Sequence, residues 1–255
     1  MSVPARPVRW LVDGPSDPAW NLAFDEVLLH GGGATVRVYG WSPPGLSLGY
    51  FQEYAAIDRA PFEAAGFVVV RRPTGGGAIA HRDELTFCIA DDVLPEGAPG
   101  AFFTADVAAG YRRVHAAFER ALARLGAASR PRGDVPLPSD ELGDRWLCFH
   151  KSSAVDLVAS GRKLLGSAQR RIGRRVMHHG SLPLGRNPLT PGAVSVGELL
   201  GRVVPFAEMA DALRCELATE FGIELAAGAA TADERASAAK LVATKYRHAE
   251  WTRRR

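Results

Sequence analysis

Three segments of the 255-residue chain hold residues whose types and spacing could do chemistry. The first is Trp146-Leu147-Cys148-Phe149-His150-Lys151, a cysteine beside a histidine and a lysine, just after a Pro-, Gly- and charge-rich stretch at 129–145. Basic neighbours stabilise a thiolate, the form of cysteine that attacks carbonyls and thioesters. The alternative is a cysteine packed as a small hydrophobe. The second segment is Arg71-Arg72-Pro73-Thr74-Gly75-Gly76-Gly77-Ala78-Ile79-Ala80-His81. Three successive glycines allow close backbone approach and present N–H groups to an anion or a carbonyl, with two arginines at the base of the loop. It matches neither GxGxxG nor GxxxxGK[ST], which excludes both nucleotide motifs, and a Gly-rich hairpin with solvated arginines is the alternative. The third is Ser160-Gly161-Arg162-Lys163-Leu164-Leu165-Gly166-Ser167-Ala168-Gln169-Arg170, where two cations follow a turn glycine and small residues leave room beside a strand. Between Gly161 and Arg175 there are six Lys/Arg and no acid. An edge strand protected from aggregation by its charge reads equally well.

Other chemistries are excluded. The three cysteines, Cys88, Cys148 and Cys215, are an odd number without a CxxC pair, so neither a disulfide framework nor a zinc knuckle is expected. Cys88 and Cys215 read as core thiols in a strand and a helix. His178 and His179 are adjacent and point to opposite faces of a strand, and adding His81 gives no zinc spacing, so no metal site is assigned. Thirty-one Lys+Arg against 28 Asp+Glu leave a net charge of +3, too small to name nucleic acid as a partner. No apolar run reaches signal-peptide or membrane-helix length, and the expected setting is the reducing cytoplasm, with no membrane partner.

The elements that must position these segments follow from periodicity and turn residues. Strands are expected at Val8–Asp13, Thr35–Trp41, Leu46–Phe51, Phe67–Arg72, Ala78–His81 and Glu84–Ala90, and a meander at Ala154–Ser160, Lys163–Arg170 and Val176–Leu184 turns near Gly161 and Gly173. Helices are expected from Pro18 to the Gly31–Gly33 stop with Ser16 or Asp17 as cap, briefly over Asp58–Ala65, and over Thr104–Leu125 with Thr104 as cap. Two more cover Phe206–Phe221 and Thr231–Tyr246, the last opened by a Thr231-x-x-Glu234 capping box. Residues 129–145 read as a mobile loop. The irregular alternation predicts an α+β fold, one domain with a mixed or antiparallel sheet flanked by helices.

Taken in order, Asn21–Glu26, Tyr39–Pro44, Leu46–Gln52, Arg71–His81, Gly161–Gln169, His178–Leu182, Lys245-Tyr246 and Trp251 resemble the biotin/lipoate protein ligase catalytic-domain family, on its lipoate side. The resemblance runs over residues 8–251. It implies a class II aminoacyl-tRNA synthetase/biotin synthetase-like fold in a single catalytic domain, without the accessory C-terminal domain usual in lipoate–protein ligases. Cys148, in Leu-Cys-Phe shortly before Gly-Arg-Lys, resembles the nucleophile of the Cys-type octanoyltransferases, whereas the third glycine, Gly77, follows the ligase form.

On the transferase side the resemblance implies that Cys148 takes an octanoyl (or lipoyl) chain from acyl carrier protein and passes it to a lysine of a lipoyl domain. That acceptor would be the glycine cleavage H protein or a 2-oxoacid dehydrogenase E2, and no cofactor is needed. Lys163 would favour the thiolate and shuttle the proton. Arg71, Arg72, Thr74, Gly75, Gly76, Gly77, His81, Gly166, Ser167, Ala168 and His179 would bind substrate, and Arg162–Arg175 with the basic tail would steer acidic carrier domains. On the ligase side, ATP and Mg²⁺ are required, Arg71 and the glycine loop hold an acyl-adenylate phosphate, and Cys148 is a bystander. A non-catalytic carrier-binding homologue would lack Cys148 or Lys163, and both are present.

Overall fold

A computed structural model of the protein describes residues 5–134, 146–148 and 153–255. Eleven strands occur among them: β1 (Arg6–Val12), β2 (Thr35–Tyr39), β3 (Gly45–Leu48), β4 (Val68–Arg71), β5 (Ile79–His81), β6 (Glu84–Asp92), β7 (Arg130–Pro131), β8 (Leu157–Ala159), β9 (Arg162–Ile172), β10 (Arg175–Pro183) and β11 (Ile223–Ala227). The α-helices are α1 (Pro18–His30), α2 (Ala60–Ala64), α3 (Val107–Leu125), α4 (Val196–Leu200), α5 (Phe206–Phe221), α6 (Ala232–Leu241) and α7 (Ala249–Thr252). No helix among the described residues is long and apolar enough to cross a membrane.

Eight strands form one mixed sheet in the order β11-β1-β2-β6-β10-β9-β8-β7, parallel at its β11-β1-β2 end and antiparallel elsewhere. A second sheet, β4-β3-β5, pairs β3 parallel to β4 and antiparallel to β5. One face of the large sheet packs on α3 and α5 through Phe87, Val114, Phe118, Met209 and Leu213. The other packs on α1 and α6 through Leu11, Leu22, Phe24, Met177 and Ala238. The expected α+β architecture is the observed one.

Local chemistry sets the boundaries that matter for the site. Asp17 caps α1 by accepting the Ala19 and Trp20 N–H groups, with Pro18 supplying a helical φ where no donor is needed. The turn from β8 to β9 has two residues, Ser160 (φ 49°) and Gly161 (φ 70°). Positive φ at both positions is the type I′ geometry that matches strand twist, and it fixes the register that sets Lys163 opposite Val158.

Several expectations need correction. The cap of α3 is Asp106, whose carboxylate takes the Ala109 N–H, not Thr104 two residues earlier. The Gly75–Gly77 loop is not a hairpin, because β3 lies between β4 and β5. The Thr231–Tyr246 helix keeps its capping box but ends as α-helix at Leu241 and continues through a π turn over Val242–Tyr246. Cys215 is exposed on α5 rather than in the core, while Cys88 is buried as expected. The mobile-loop reading of 129–145 falls mostly on residues outside those described, although Arg130–Pro131 pairs with β8. Strand β11 and helix α4, opened by a Ser195/Glu198 capping box, were not anticipated.

Under the site lies a buried polar network. Arg37, fully buried, gives an N–H to Asp25 Oδ1 (2.8 Å), to Asp13 (2.6 Å) and to Asn21, while Tyr39 OH donates to Asp25 Oδ2 (2.7 Å). Burial alone would raise the Asp25 carboxyl, but His179, Arg37 and Tyr39 outweigh it and hold it below the ordinary range. Removing one partner of such a pair leaves the other charge buried, at a cost of about 3–5 kcal/mol. Asp25→Asn is therefore expected to lose that much stability in denaturant unfolding at neutral pH. Because the folded-state value is depressed, the contribution is complete above the unfolded aspartate range (near pH ~4) and fades as pH falls through the folded value. The gap between the variant and the parent protein should narrow on acidification.

Candidate active site

Residues 146–148 lie against the second sheet as an added rung. Ala78 N–H donates to Trp146 O and Cys148 N–H donates to Ala78 O, both at 2.7 Å. Leu147 fills the core of that sheet with Leu46, Leu48 and Phe62, and Gln52 gives a further hydrogen bond to Trp146 O (2.8 Å). This anchoring sets the place of Cys148, which is half-buried and lines a cavity between the glycine loop, β9 and β10.

Gly77 makes the anchoring possible. A Cβ at that position would lie 2.8 Å from both Cys148 N and Trp146 O, closer than any real contact. The third glycine thus makes room for the cysteine segment, and the two sequence features that pointed in opposite directions are one device. Gly77→Ala should push residues 146–148 away. For the nucleophile role expected of Cys148, a displacement of about 1 Å costs on the order of 10²-fold in rate, so first-turnover kinetics should show a loss of that size while the circular dichroism spectrum is kept.

Lys163 reaches the same point from β9. Its Nζ lies 3.5 Å from Cys148 Sγ, 3.3 Å from Cys148 O and 2.8 Å from Asp156 Oδ2, and the side chain is almost wholly buried. It folds back over Gly166, where a Cβ would sit 2.4 Å from Lys163 Cε. Burial would lower the ammonium, but Cys148 and Asp156 together outweigh it and raise Lys163 above its ordinary value. Lys163 is thus a cation at neutral pH, 3.5 Å from the only sulfur that lines the cavity among the described residues.

The other anticipated residues take different places. Arg72 lines the cavity and pins the glycine loop, donating to Ser47 O (2.8 Å), Gly75 O (2.7 Å) and Gly77 O (2.6 Å). Burial pushes its guanidinium down to about 10, which leaves it charged at neutral pH. Gly75, Gly76, Ser167, Ala168, His81 and His179 also line the cavity. Thr74 stands behind it, with Oγ1 2.7 Å from His179 Nε2, and His179 Nδ1 lies 3.2 Å from Asp25 Oδ2. His81 Nδ1 is 2.7 Å from Glu84 Oε1, which also accepts from Thr86, so Nδ1 carries the proton and Nε2 accepts from Ser47 Oγ (2.7 Å). Trp41 stacks on His81 with ring centroids 3.9 Å apart, and with Leu22, Tyr39 and Ile79 it supplies the apolar wall.

Arg71 is not among the lining residues. Its Nη1 donates to Gly49 O (2.7 Å) and Gln52 O (2.8 Å), and its Nε to Thr252 O (2.9 Å), so it ties β4 to the 49–52 turn and to α7. The basic stretch after Gly161 is largely engaged as well. Arg162 pairs with Glu198, Arg170 and Arg171 donate to the carbonyls of Pro73 and Thr104, and Arg175 binds Leu28 O, Leu29 O and Asp92. As expected, His178 and His179 face opposite sides of β10. His178 packs on Phe87 and Tyr111, and Ser167 Oγ lies 2.7 Å from both His178 Nε2 and His115 Nε2.

Asp156, the partner of Lys163, went unanticipated, as did Ser47, Glu84 and Asp25. Asp156 precedes Lys163 by seven residues across the Ser160-Gly161 turn, and only the strand register, with its irregularity at Leu157/Val158, brings the two together.

Residues 17–190 match the model of the lipoyl protein ligase A/B catalytic domain. The chain belongs to that family. Within it, the chain is 34% identical to an octanoyltransferase LipM of Symbiobacterium thermophilum, over 92% of this chain and 94% of that protein. Among solved structures of the family fold, a putative lipoate protein ligase from T. acidophilum with bound lipoic acid superposes with a TM-score of 0.79 at 23% identity, covering 97% and 99% of the two chains. A bipartite archaeal lipoate protein ligase from T. acidophilum, described with its E2 lipoyl domain, gives 0.77 at 20% identity, covering 97% and 96%. These likenesses establish the class II synthetase-like fold of the family for this chain.

Proposed function

We propose that the protein is an octanoyltransferase that moves an octanoyl chain from acyl carrier protein to a lysine of a lipoyl domain through a thioester on Cys148. The observation that carries this reading is the buried Lys163 ammonium 3.5 Å from Cys148 Sγ at the wall of an apolar cavity. Full-length similarity to LipM octanoyltransferases supports it.

In the first half-reaction the Cys148 thiolate, stabilised by Lys163, attacks the carbonyl carbon of the donor thioester. The new S–C bond forms as the bond to the carrier sulfur breaks, and the departing thiolate takes a proton from Lys163. In the second, the acceptor amine attacks the acyl-enzyme, the C–N bond replaces the C–S bond, and the amine's proton returns through Lys163. Asp156 keeps Lys163 oriented in both. The N–H groups of Gly75 and Gly76 meet the developing oxyanion, and Arg72 holds that loop in shape. Leu22, Tyr39, Trp41 and Ile79 receive the methylenes, each contributing about 0.8 kcal/mol when buried.

Because the donor thioester already stores the activation, this transfer requires neither ATP nor Mg²⁺ and is suited to a reducing cytoplasm. Arg71, which would hold an adenylate phosphate on the ligase reading, is committed to main-chain carbonyls away from the cavity. A single assay separates the two. The protein is incubated with a lipoyl domain and either octanoyl carrier protein without ATP, or octanoate or lipoate with ATP and Mg²⁺. Octanoylation in the first mixture is expected, and modification confined to the second would refute the transferase.

A further inference from the structure

Beside the glycine loop lies a patch of aromatic and basic side chains that the chemistry at Cys148 does not use. Phe51 is 65% exposed, and its ring is 3.7 Å from where a Cβ of Gly75 would be, so it borders the cavity's own loop. The chain ahead of the patch is fixed to the nucleophile segment by the Gln52 to Trp146 hydrogen bond. Over these rings lie guanidinium groups: Arg254 at 4.1 Å from Tyr50 and 5.0 Å from Trp251, Arg255 at 5.4 Å from Phe51, and Arg170 at 5.6 Å from Tyr50. The tail is held there by the Tyr54 N–H, which donates to Arg255 O (2.7 Å).

No carboxylate of the described residues pairs with Arg170, Arg254 or Arg255, in contrast to Arg37, Arg120 or Arg202 elsewhere. Arg71 lies beneath them, fully buried and donating to main-chain carbonyls, and is not part of the exposed patch. Burial, and after it the charges of Arg254 and Arg255, push the Arg71 guanidinium below its ordinary value. Exposed guanidiniums clustered over aromatic rings are the chemistry of a phosphate-binding surface.

Resting on the proposed transferase reading, we infer that this patch docks the acyl donor by binding the phosphodiester at the root of the carrier's pantetheine arm. Charge decides between the two macromolecular substrates. The donor brings an anionic phosphodiester on the arm that must enter beside the glycine loop, whereas the acceptor brings a lysine ammonium, which the three arginines of the patch would repel. A site used in the first half-reaction only also leaves the acceptor free to approach once the carrier has gone.

The test compares acylation of Cys148, followed by intact-protein mass spectrometry, with octanoyl carrier protein and with octanoyl-pantetheine, which lacks the phosphate. The variant is Arg254→Gln/Arg255→Gln, which keeps the backbone bond to Tyr54, and Arg254→Lys/Arg255→Lys restores the charge. The ratio of the carrier rate to the pantetheine rate should fall about tenfold in the Gln variant, recover in large part in the Lys variant, and fall with added salt in the parent protein. An unchanged ratio overturns the proposal. So does a loss confined to the second half-reaction, measured by adding lipoyl domain to pre-acylated enzyme, because the patch would then serve the acceptor. If the parent protein is acylated by neither donor, the thioester reading itself falls, an outcome distinct from an unchanged ratio.

Discussion

Cys148→Ala is expected to reduce octanoyl transfer by on the order of 10³-fold or more while leaving the fold intact. The side chain is half-buried at the cavity wall, and its position is set by backbone hydrogen bonds to Ala78, which alanine keeps. The loss is therefore one of chemistry and not of packing. Residual transfer in the variant would come from direct attack of the acceptor lysine on the donor thioester, with the glycine loop still able to meet the oxyanion. Cys148→Ser should be almost as inactive. Lys163 is held as a cation by its neighbours, so it can pair with a charge on sulfur but cannot act as the strong base that a serine hydroxyl requires. Steady-state transfer with octanoyl carrier protein, alongside thermal unfolding of each variant, separates a catalytic from a structural loss.

The second large effect is expected at Lys163. Lys163→Met keeps the length of the side chain but removes both the cation beside the sulfur and the proton carrier, and losses of about 10²–10⁴-fold are typical for such a group. It also strands Asp156 in the interior, so the same variant should unfold earlier. Asp156→Asn distinguishes the two roles. It preserves shape and a hydrogen bond to Nζ but takes away one of the two groups that raise Lys163. The raised folded-state value stabilises the protein below the ordinary lysine range (near pH ~10.4) and is lost as pH rises through the folded value. The Asn variant should therefore keep measurable transfer, with the alkaline limb of its acylation pH profile moved to lower pH. An alkaline limb identical to the parent's would show that Asp156 does not act through Lys163.

Much of this site is legible in the sequence, for identifiable reasons. Cys148 and Lys163 stand out because residue type and neighbours speak for themselves, and the two-residue turn at Ser160-Gly161 declares the hairpin that carries Lys163. Glycine runs announce a close approach but not what approaches. Only the structure shows that Gly77 faces the cysteine's backbone and Gly166 the lysine's side chain. Arg71 misleads for a related reason. An arginine at the base of a glycine loop looks like an anion ligand, yet the main-chain carbonyls of Gly49, Gln52 and Thr252 take its donors. Asp156, Asp25 and Glu84 stay hidden because their roles depend on strand register and on contacts made across long stretches of chain, up to the separation of 154 positions from Asp25 to His179. The edge strand β11 is missed because it is short and follows a helix without a marked alternation, and its place is set by parallel pairing with β1.

In the proposed mechanism the acyl chain passes through sulfur. The most direct test incubates the protein with octanoyl carrier protein alone, without ATP, Mg²⁺ or acceptor, then quenches in acid and maps the adduct by peptide mass spectrometry. About one octanoyl group per chain is expected, carried on Cys148, released by hydroxylamine and transferred to a lipoyl domain when one is added. Octanoylation of the lipoyl domain by a protein on which no Cys148 adduct ever forms would contradict it.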